Sequence, residues 1–458
     1  MPVFRLLLIA APMPEFLDNL LQVLGGRRGT DMQFVCRRLL SESGEASQTV
    51  LAQKIIDAYK AMGPEQRLGF FDMLSRDFSP DSAVINCAAA EYERSPDTKS
   101  LSALCAAVEP PRQELFRRIN TTPGGIEFLL ALREHLLALP SKAAKYQALD
   151  ADLRHLFRSW FNRGFLRLER ISWRTSAVVL EKLINYESVH EISGWPDLRR
   201  RLEVDRRCFA FFHPALADEP IIFVEVALAK GLRGDLEPLL SLDAPVINPM
   251  STDTAIFYSI NNCLRSLRNI PFGNLLIKQV LADLTLELPN IKNYGTLSPL
   301  PRFSQALTDI KNEGGFTPAR LSRLLAEFAA ALTAAGRRRD SVEAFFHLLE
   351  NPVQHRSVLS APLQRLALAY LTRARLDGRL YDPVATFHLS NGARLDRVNA
   401  FGNLRPYGLK ASYGVTVNYR YLPAELEQNH ERFVQAGDIR LSHSLIREHK
   451  AVMTKWVQ

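Results

Sequence analysis

From about Glu15 to Trp160, apolar residues recur three and four positions apart, as a helix with one buried stripe requires. Leu51, Ile55, Ile56, Tyr59 and Met62 form one such stripe. Pro64-Glu65 and Pro80-Asp81 stand where proline suits the first turn of a new helix. The helix-breaking run Thr121-Thr122-Pro123-Gly124-Gly125 separates two further helical segments. The opening MPVFRLLLIAAPMP has a short apolar core and Arg5 as its one basic residue, and reads as a strand or helix edge rather than a targeting segment. The pattern predicts an all-helical bundle over residues 1–168, of a kind that serves as an assembly surface.

After about Arg170 the period changes. Cys208–Phe212, Ile221–Ala229, Ala255–Ile260, Ile291–Ser298, Val384–Leu389 and Val415–Leu422 are short, β-branched or aromatic, and bounded by turn residues. Amphipathic helices are predicted between them over Asn274–Leu288, Pro318–Ala335 and Pro362–Arg375. Strands alternating with helices predict a second domain, 169–458, built on one mixed sheet, so the fold class is α+β.

Composition narrows the class. The chain has 458 residues, 47% hydrophobic and 23% charged, which excludes a mainly disordered chain. No apolar run approaches the ~18–20 residues of a membrane span. The net charge is +8, with 22 basic and 20 acidic residues in 1–170 against 35 and 29 in the remainder. That excess favours an anionic ligand on the C-terminal part. The five cysteines, Cys36, Cys87, Cys105, Cys208 and Cys263, are odd in number and make no CxxC pair. Neither a disulfide framework nor a zinc site fits, and a reducing compartment, the cytoplasm, is expected.

Three segments carry candidate chemistry. In the first, the strand AIFYSI (255–260) leads through NNCLRSLRNIPFGN into a helix with Leu276, Val280, Leu281 and Leu284 on one face. A strand, a loop and a helix N-terminus aim free N–H groups and a positive dipole end at a phosphate or pyrophosphate. Arg265 and Arg268 add charge, and Gly273 lets a ligand approach the backbone. In the second, VATFHLSNGA (384–393), a strand would set His388 on a polar face with Thr386 and Ser390. In the third, NYGTLSPLPRF (293–303), Ser298 ends a strand and is followed by Pro299. Each has an ordinary structural reading when taken alone.

Together they resemble one family, the malonyl-CoA decarboxylases. The similar stretches are FYSI at 257–260, FGNLLIK at 272–278, LSPLPRF at 297–303, FHLSNGA at 387–393 and NYRY at 418–421. Ser-Trp-Arg-Thr at 172–175 and the strand pair around Phe211 and Val224 are also similar, in the same order. The resemblance spans most of 150–425. It implies a helical assembly domain, an acetyltransferase-like (GNAT) catalytic domain, and a homo-oligomer, a tetramer. It implies that coenzyme A lies on the loop Arg268, Asn269, Ile270, Pro271, Phe272, Gly273 and Asn274. It further implies that Ser298 and His388 are catalytic and that Tyr421 is an active-site tyrosine. Where the family carries more glycines in the CoA loop, this chain has Ser266 and Asn269; asparagine tolerates a left-handed backbone better than most residues.

The implied reaction suits these residue types without a metal or organic cofactor, coenzyme A being part of the substrate. The thioester carbonyl of malonyl-CoA is itself the electron sink when carbon dioxide leaves. Ser298 would hold the carboxylate, and His388, titrating near neutral pH, would protonate the enolate. An acyl-CoA-dependent N-acetyltransferase on the same fold is the rival within enzymes, and a catalytically impaired CoA-binding scaffold is another. The Ser298/His388 pair separates decarboxylase from acetyltransferase, which has no general need of it. No GxSxG elbow surrounds Ser298, against a hydrolase. Basic residues are not interleaved with aromatics along one element, so a nucleic-acid partner is not expected.

Overall fold

A computed structural model of the chain describes residues 32–139, 144–162, 164–270, 273–311, 341–376 and 378–448. It divides into two compact units, Met1–Ser159 and Trp160–Gln458. The opening segment MPVFRLLLIAAPMP and the predicted helix Pro318–Ala335 lie outside the described residues.

In the first unit every described element is a helix, from Met32–Ser41 to Gln147–Trp160. The stripe predicted from spacing is the buried face of Glu45–Ala61, where Leu51, Ala52, Ile55, Ile56 and Tyr59 are buried. The Tyr59 ring meets Phe70 and Phe128, each 5.3 Å away between centroids, and its hydroxyl lies 3.1 Å from His135 Nδ1. Pro64 opens the helix Pro64–Asp77 as expected. Pro80 instead precedes the N-cap: Asp81 caps Ser82–Arg94 by accepting from the Ala83 N–H. Gly124 takes a left-handed φ of 75°, and a Cβ at Gly125 would stand 2.0 Å from the Ile119 carbonyl oxygen, so this turn requires both glycines.

The second unit is built on an eight-stranded sheet. Strands β1 (Arg167–Ile171), β2 (Arg206–Phe212), β3 (Pro220–Ala229) and β4 (Thr254–Asn262) form an antiparallel run. Strand β5 (Asn293–Thr296) lies parallel to β4, and the helix Gly273–Glu287 makes the crossover. Strand β6 (Ser298–Pro299) follows. A small hairpin, β7 (Arg375–Leu376) with β8 (Arg379–Leu380), stands apart from the sheet. Strand β10 (Thr416–Tyr421) pairs antiparallel with both β5 and β6 on one side and with β9 (Arg394–Asn399) on the other. Strands β2 and β3 are buried along their whole length, Arg206, Arg207 and Glu225 included.

Two expectations are corrected. The predicted strand Ile291–Ser298 is two strands, with Ser298 beginning the second. The predicted strand Val384–Leu389 is the helix Pro383–Ser390, because Asp382 caps it, accepting from the N–H groups of Val384 and Ala385, and Pro383 occupies its first turn. His388 therefore shares a buried helix face with Ala385 and Leu389, not a polar strand face with Thr386 and Ser390.

Candidate active site

The parallel pairing of β4 and β5 stops at Phe257–Thr296, with the Leu297 N–H donating to the Phe257 carbonyl at 2.9 Å. Strand β4 runs on to Asn262 without β5 beside it. The pair thus opens at its C-terminal end, the side on which open sheets with parallel strands take ligands. Two segments lead from that end: the loop after β4, which enters the helix Gly273–Glu287, and the chain after β5, which carries Ser298.

In the loop, Arg265–Leu267 form a single 3-10 turn and Ser266 is buried. Asn269 has a φ of 67°, the left-handed conformation for which asparagine is suited. Ile270 is buried, and its N–H donates to the Leu267 carbonyl at 3.1 Å. Pro271 and Phe272 lie outside the described residues. Gly273 and Asn274 begin the helix, whose N-terminal N–H groups and positive dipole end face the loop. This helix packs against the one that bears His388.

Ser298, His388 and Tyr421 come from three separate elements and are all buried. The Ser298 Oγ stands 2.9 Å from His388 Nε2, and His388 Nδ1 stands 2.7 Å from the Tyr421 hydroxyl. The Ser298 hydroxyl donates to Thr296 Oγ1 at 2.9 Å. Tyr419 stacks on the imidazole, with centroids 4.6 Å apart and planes 25° from parallel. Phe257 meets the ring of Tyr421 edge-on at 6.2 Å.

Burial sets the protonation. Among the described residues no carboxylate offsets the burial of His388, and desolvation pushes its pKa down to about 3. The expectation that it titrates near neutrality is therefore corrected: it is a neutral imidazole at physiological pH. Burial raises Tyr421 well above the usual phenol range, so it keeps its proton. Neutral His388 carries one ring proton, on Nε2 facing Ser298 Oγ or on Nδ1 facing the Tyr421 hydroxyl, and the Ser298 hydroxyl donates to Thr296.

Thr296, Tyr419 and Phe257 were not found from the sequence. The signal for Tyr419 was present, since strand alternation in NYRY puts it on the same face as Tyr421. Among the described residues, no group of three or more His, Cys, Asp or Glu could hold a metal ion, and no helix is long and apolar enough to cross a membrane.

The fold and site define an α+β protein in which helices precede a mixed sheet with a buried Ser–His–Tyr chain beside its parallel pair. Residues 164–457 match the malonyl-CoA decarboxylase C-terminal domain, and residues 78–161 match the malonyl-CoA decarboxylase N-terminal domain. The chain belongs to the malonyl-CoA decarboxylase family, a family of carboxy-lyases. Mitochondrial malonyl-CoA decarboxylase of Anser anser anser is 32% identical over 405 residues, covering 83% of this chain and 79% of the relative. The crystal structure of malonyl-CoA decarboxylase from Rhodopseudomonas palustris is 40% identical with a TM-score of 0.79, covering 91% of this chain and 98% of that one. That from Agrobacterium vitis is 39% identical with a TM-score of 0.82, covering 91% and 99%.

Proposed function

We propose that this chain converts malonyl-CoA to acetyl-CoA and carbon dioxide, with Ser298, His388 and Tyr421 as its reaction centre. The observation that carries the reading is the buried hydrogen-bond chain Tyr421–His388–Ser298 beside the opening of β4 and β5. Coenzyme A lies on the loop Arg268–Asn274, its phosphates near the N-terminus of Gly273–Glu287. The substrate carboxylate, an ionised acceptor, draws the Ser298 hydroxyl away from the neutral Thr296 oxygen and is held out of the carbonyl plane. The C–C bond to the carboxylate breaks, its electron pair enters the thioester as an enolate, and carbon dioxide leaves. The Ser298 hydroxyl then protonates carbon two and is refilled from His388 Nε2–H, while the Tyr421 hydroxyl supports Nδ1. A thioester enolate is a stronger base than any of these groups, so a neutral imidazole suffices as the proton source. The site is left one proton short and recovers it from water after release.

The thioester is the electron sink, so no metal or organic cofactor is required. The test incubates purified protein with malonyl-CoA and follows acetyl-CoA, with and without a chelator. Formation of acetyl-CoA unaffected by chelation is expected; no product, or a metal-restorable loss, overturns the corresponding claim. The finer assignments are a homotetramer assembled through the helical unit and residence in the cytoplasm. The free thiols of all five cysteines support a reducing compartment. Light scattering and cell fractionation test the two.

A further inference from the structure

Strand β10 pairs with β5 at Tyr294 and Gly295 and with β6 at Ser298 and Pro299, leaving Thr296 and Leu297 between the two ladders. Two side chains close this gap. Thr296 Oγ1 accepts the Tyr419 N–H at 3.1 Å, and Asn418 Nδ2 donates to the Thr296 carbonyl at 2.6 Å and to the Arg233 carbonyl at 2.8 Å. The register is the same on both sides of the gap, so Ser298 stays opposite Val417 in the ladder. Here the side chain that follows is Ser298, whose hydroxyl donates back to the same Thr296 oxygen. Thr296 is fully buried, so water does not compete for it.

We infer that Thr296 is a positioning residue: its hydroxyl oxygen holds the Ser298 proton in the resting site and thereby fixes His388 as the Nε2–H tautomer. The protons along this chain can be counted. Ser298 has a single hydroxyl hydrogen, and Thr296 receives it. The Ser298 oxygen then meets His388 Nε2, 2.9 Å away, as an acceptor, so that nitrogen carries the proton. The other ring nitrogen must accept, and the Tyr421 hydroxyl supplies the matching donor at 2.7 Å. Without the Thr296 oxygen, Ser298 turns its hydrogen toward Nε2, the imidazole proton moves to Nδ1, and the Tyr421 hydroxyl faces a donor. The reacting hydroxyl would then point into the imidazole instead of being released by an incoming carboxylate.

This inference rests on the proposed decarboxylation for its kinetic consequence, but not for its spectroscopic one. The test uses full-length protein labelled with 15N-histidine, with His388 assigned by comparison with His388→Asn. In the wild type, His388 should show a protonated Nε2 and an unprotonated Nδ1 at pH 7. Thr296→Val should move the ring toward the Nδ1–H form and lower kcat about 10- to 100-fold with KM little changed. Thr296→Ser, which keeps the oxygen, should rescue both readouts. A purely structural Thr296, which only accepts the Tyr419 N–H, predicts a lower melting temperature with the tautomer unmoved. An Nδ1–H tautomer in the wild type overturns the inference even if Thr296→Val fails to fold. A wild type with the Nε2–H tautomer and no decarboxylation overturns the proposed function and leaves the positioning role standing.

Discussion

His388 is a neutral imidazole buried among aromatic rings, and that state has consequences for both chemistry and stability. His388→Asn keeps polarity and approximate size but removes the Nε2–H donor that refills Ser298. General acid catalysis is typically worth ~10²–10⁴-fold, so kcat should fall by about that factor with KM little changed. Near-wild-type turnover in a well-folded sample would remove His388 from the mechanism. The pH dependence of stability has a definite sign. The folded pKa is about 3 and the ordinary value 6.5, so between these the unfolded chain binds more protons than the folded one. Stability is complete above about pH 6.5 and is lost as pH falls toward 3, at up to about 1.4 kcal/mol per pH unit for this group. His190 is also buried with a pKa pushed down to about 3, and adds a second such contribution. Denaturant unfolding at pH 7 and pH 5 should therefore show a smaller acid loss for His388→Asn than for the wild type. Equal losses would mean that His388 is not buried in its neutral form.

The helix Pro383–Ser390 sets the position of His388, and Asp382 holds the start of that helix. One Asp382 oxygen accepts from the N–H groups of Val384 and Ala385, and the other from the Tyr370 hydroxyl at 2.9 Å. Burial raises the Asp382 pKa to about 6 against these hydrogen bonds, so its charge is held at a cost. Asp382→Ala loses the cap, worth about 1 kcal/mol, and orphans the Tyr370 hydroxyl for about 1–3 kcal/mol more. Asp382→Asn keeps one acceptor without the charge and should lose less. Unfolding curves and turnover on the two variants check the order. The same helix shows why part of the site was illegible. The sequence VATFHL is β-branched and aromatic, so periodicity over six residues reads as a strand, although Asp382-Pro383 is a helix-start signal. Residue types at Ser298, His388 and Tyr421 were legible through ordered motifs. Their hydrogen bonding was not, because it depends on an interruption between β5 and β6 that no local pattern encodes. The missed strands β1 (RLERI) and β9 (RLDRVN) lie at the two edges of the sheet, where charged residues replace the apolar run that betrays β2, β3 and β4.

At the scale of the whole molecule, the helical unit contains a pair of helices that the described residues leave largely uncovered. Ser82–Arg94 and Thr98–Val108 pack on each other, yet the first has no buried residue and the second buries Ser100 alone. Val84, Leu101 and Val108 are each about half exposed, at 52%, 45% and 46%. An apolar arm of this kind is consistent with assembly between copies of the chain. Fully burying a Val or Leu side chain gives about 1.5–3 kcal/mol, so half-exposed ones add on the order of 1 kcal/mol each. Three from each of two copies contribute roughly 6 kcal/mol, which only offsets the 4–15 kcal/mol that association costs. The arm is therefore expected to contribute to a larger interface, and a charge placed in it should be felt. We expect light scattering at micromolar concentration to give the mass of a homo-oligomer for the wild type. Leu101→Glu should lower that mass or make it fall on dilution, with the far-UV spectrum unchanged because the residue is exposed. A wild type that scatters as a monomer would show that the arm has no such role. An oligomer indifferent to Leu101→Glu would put the contact on another face of the helical unit.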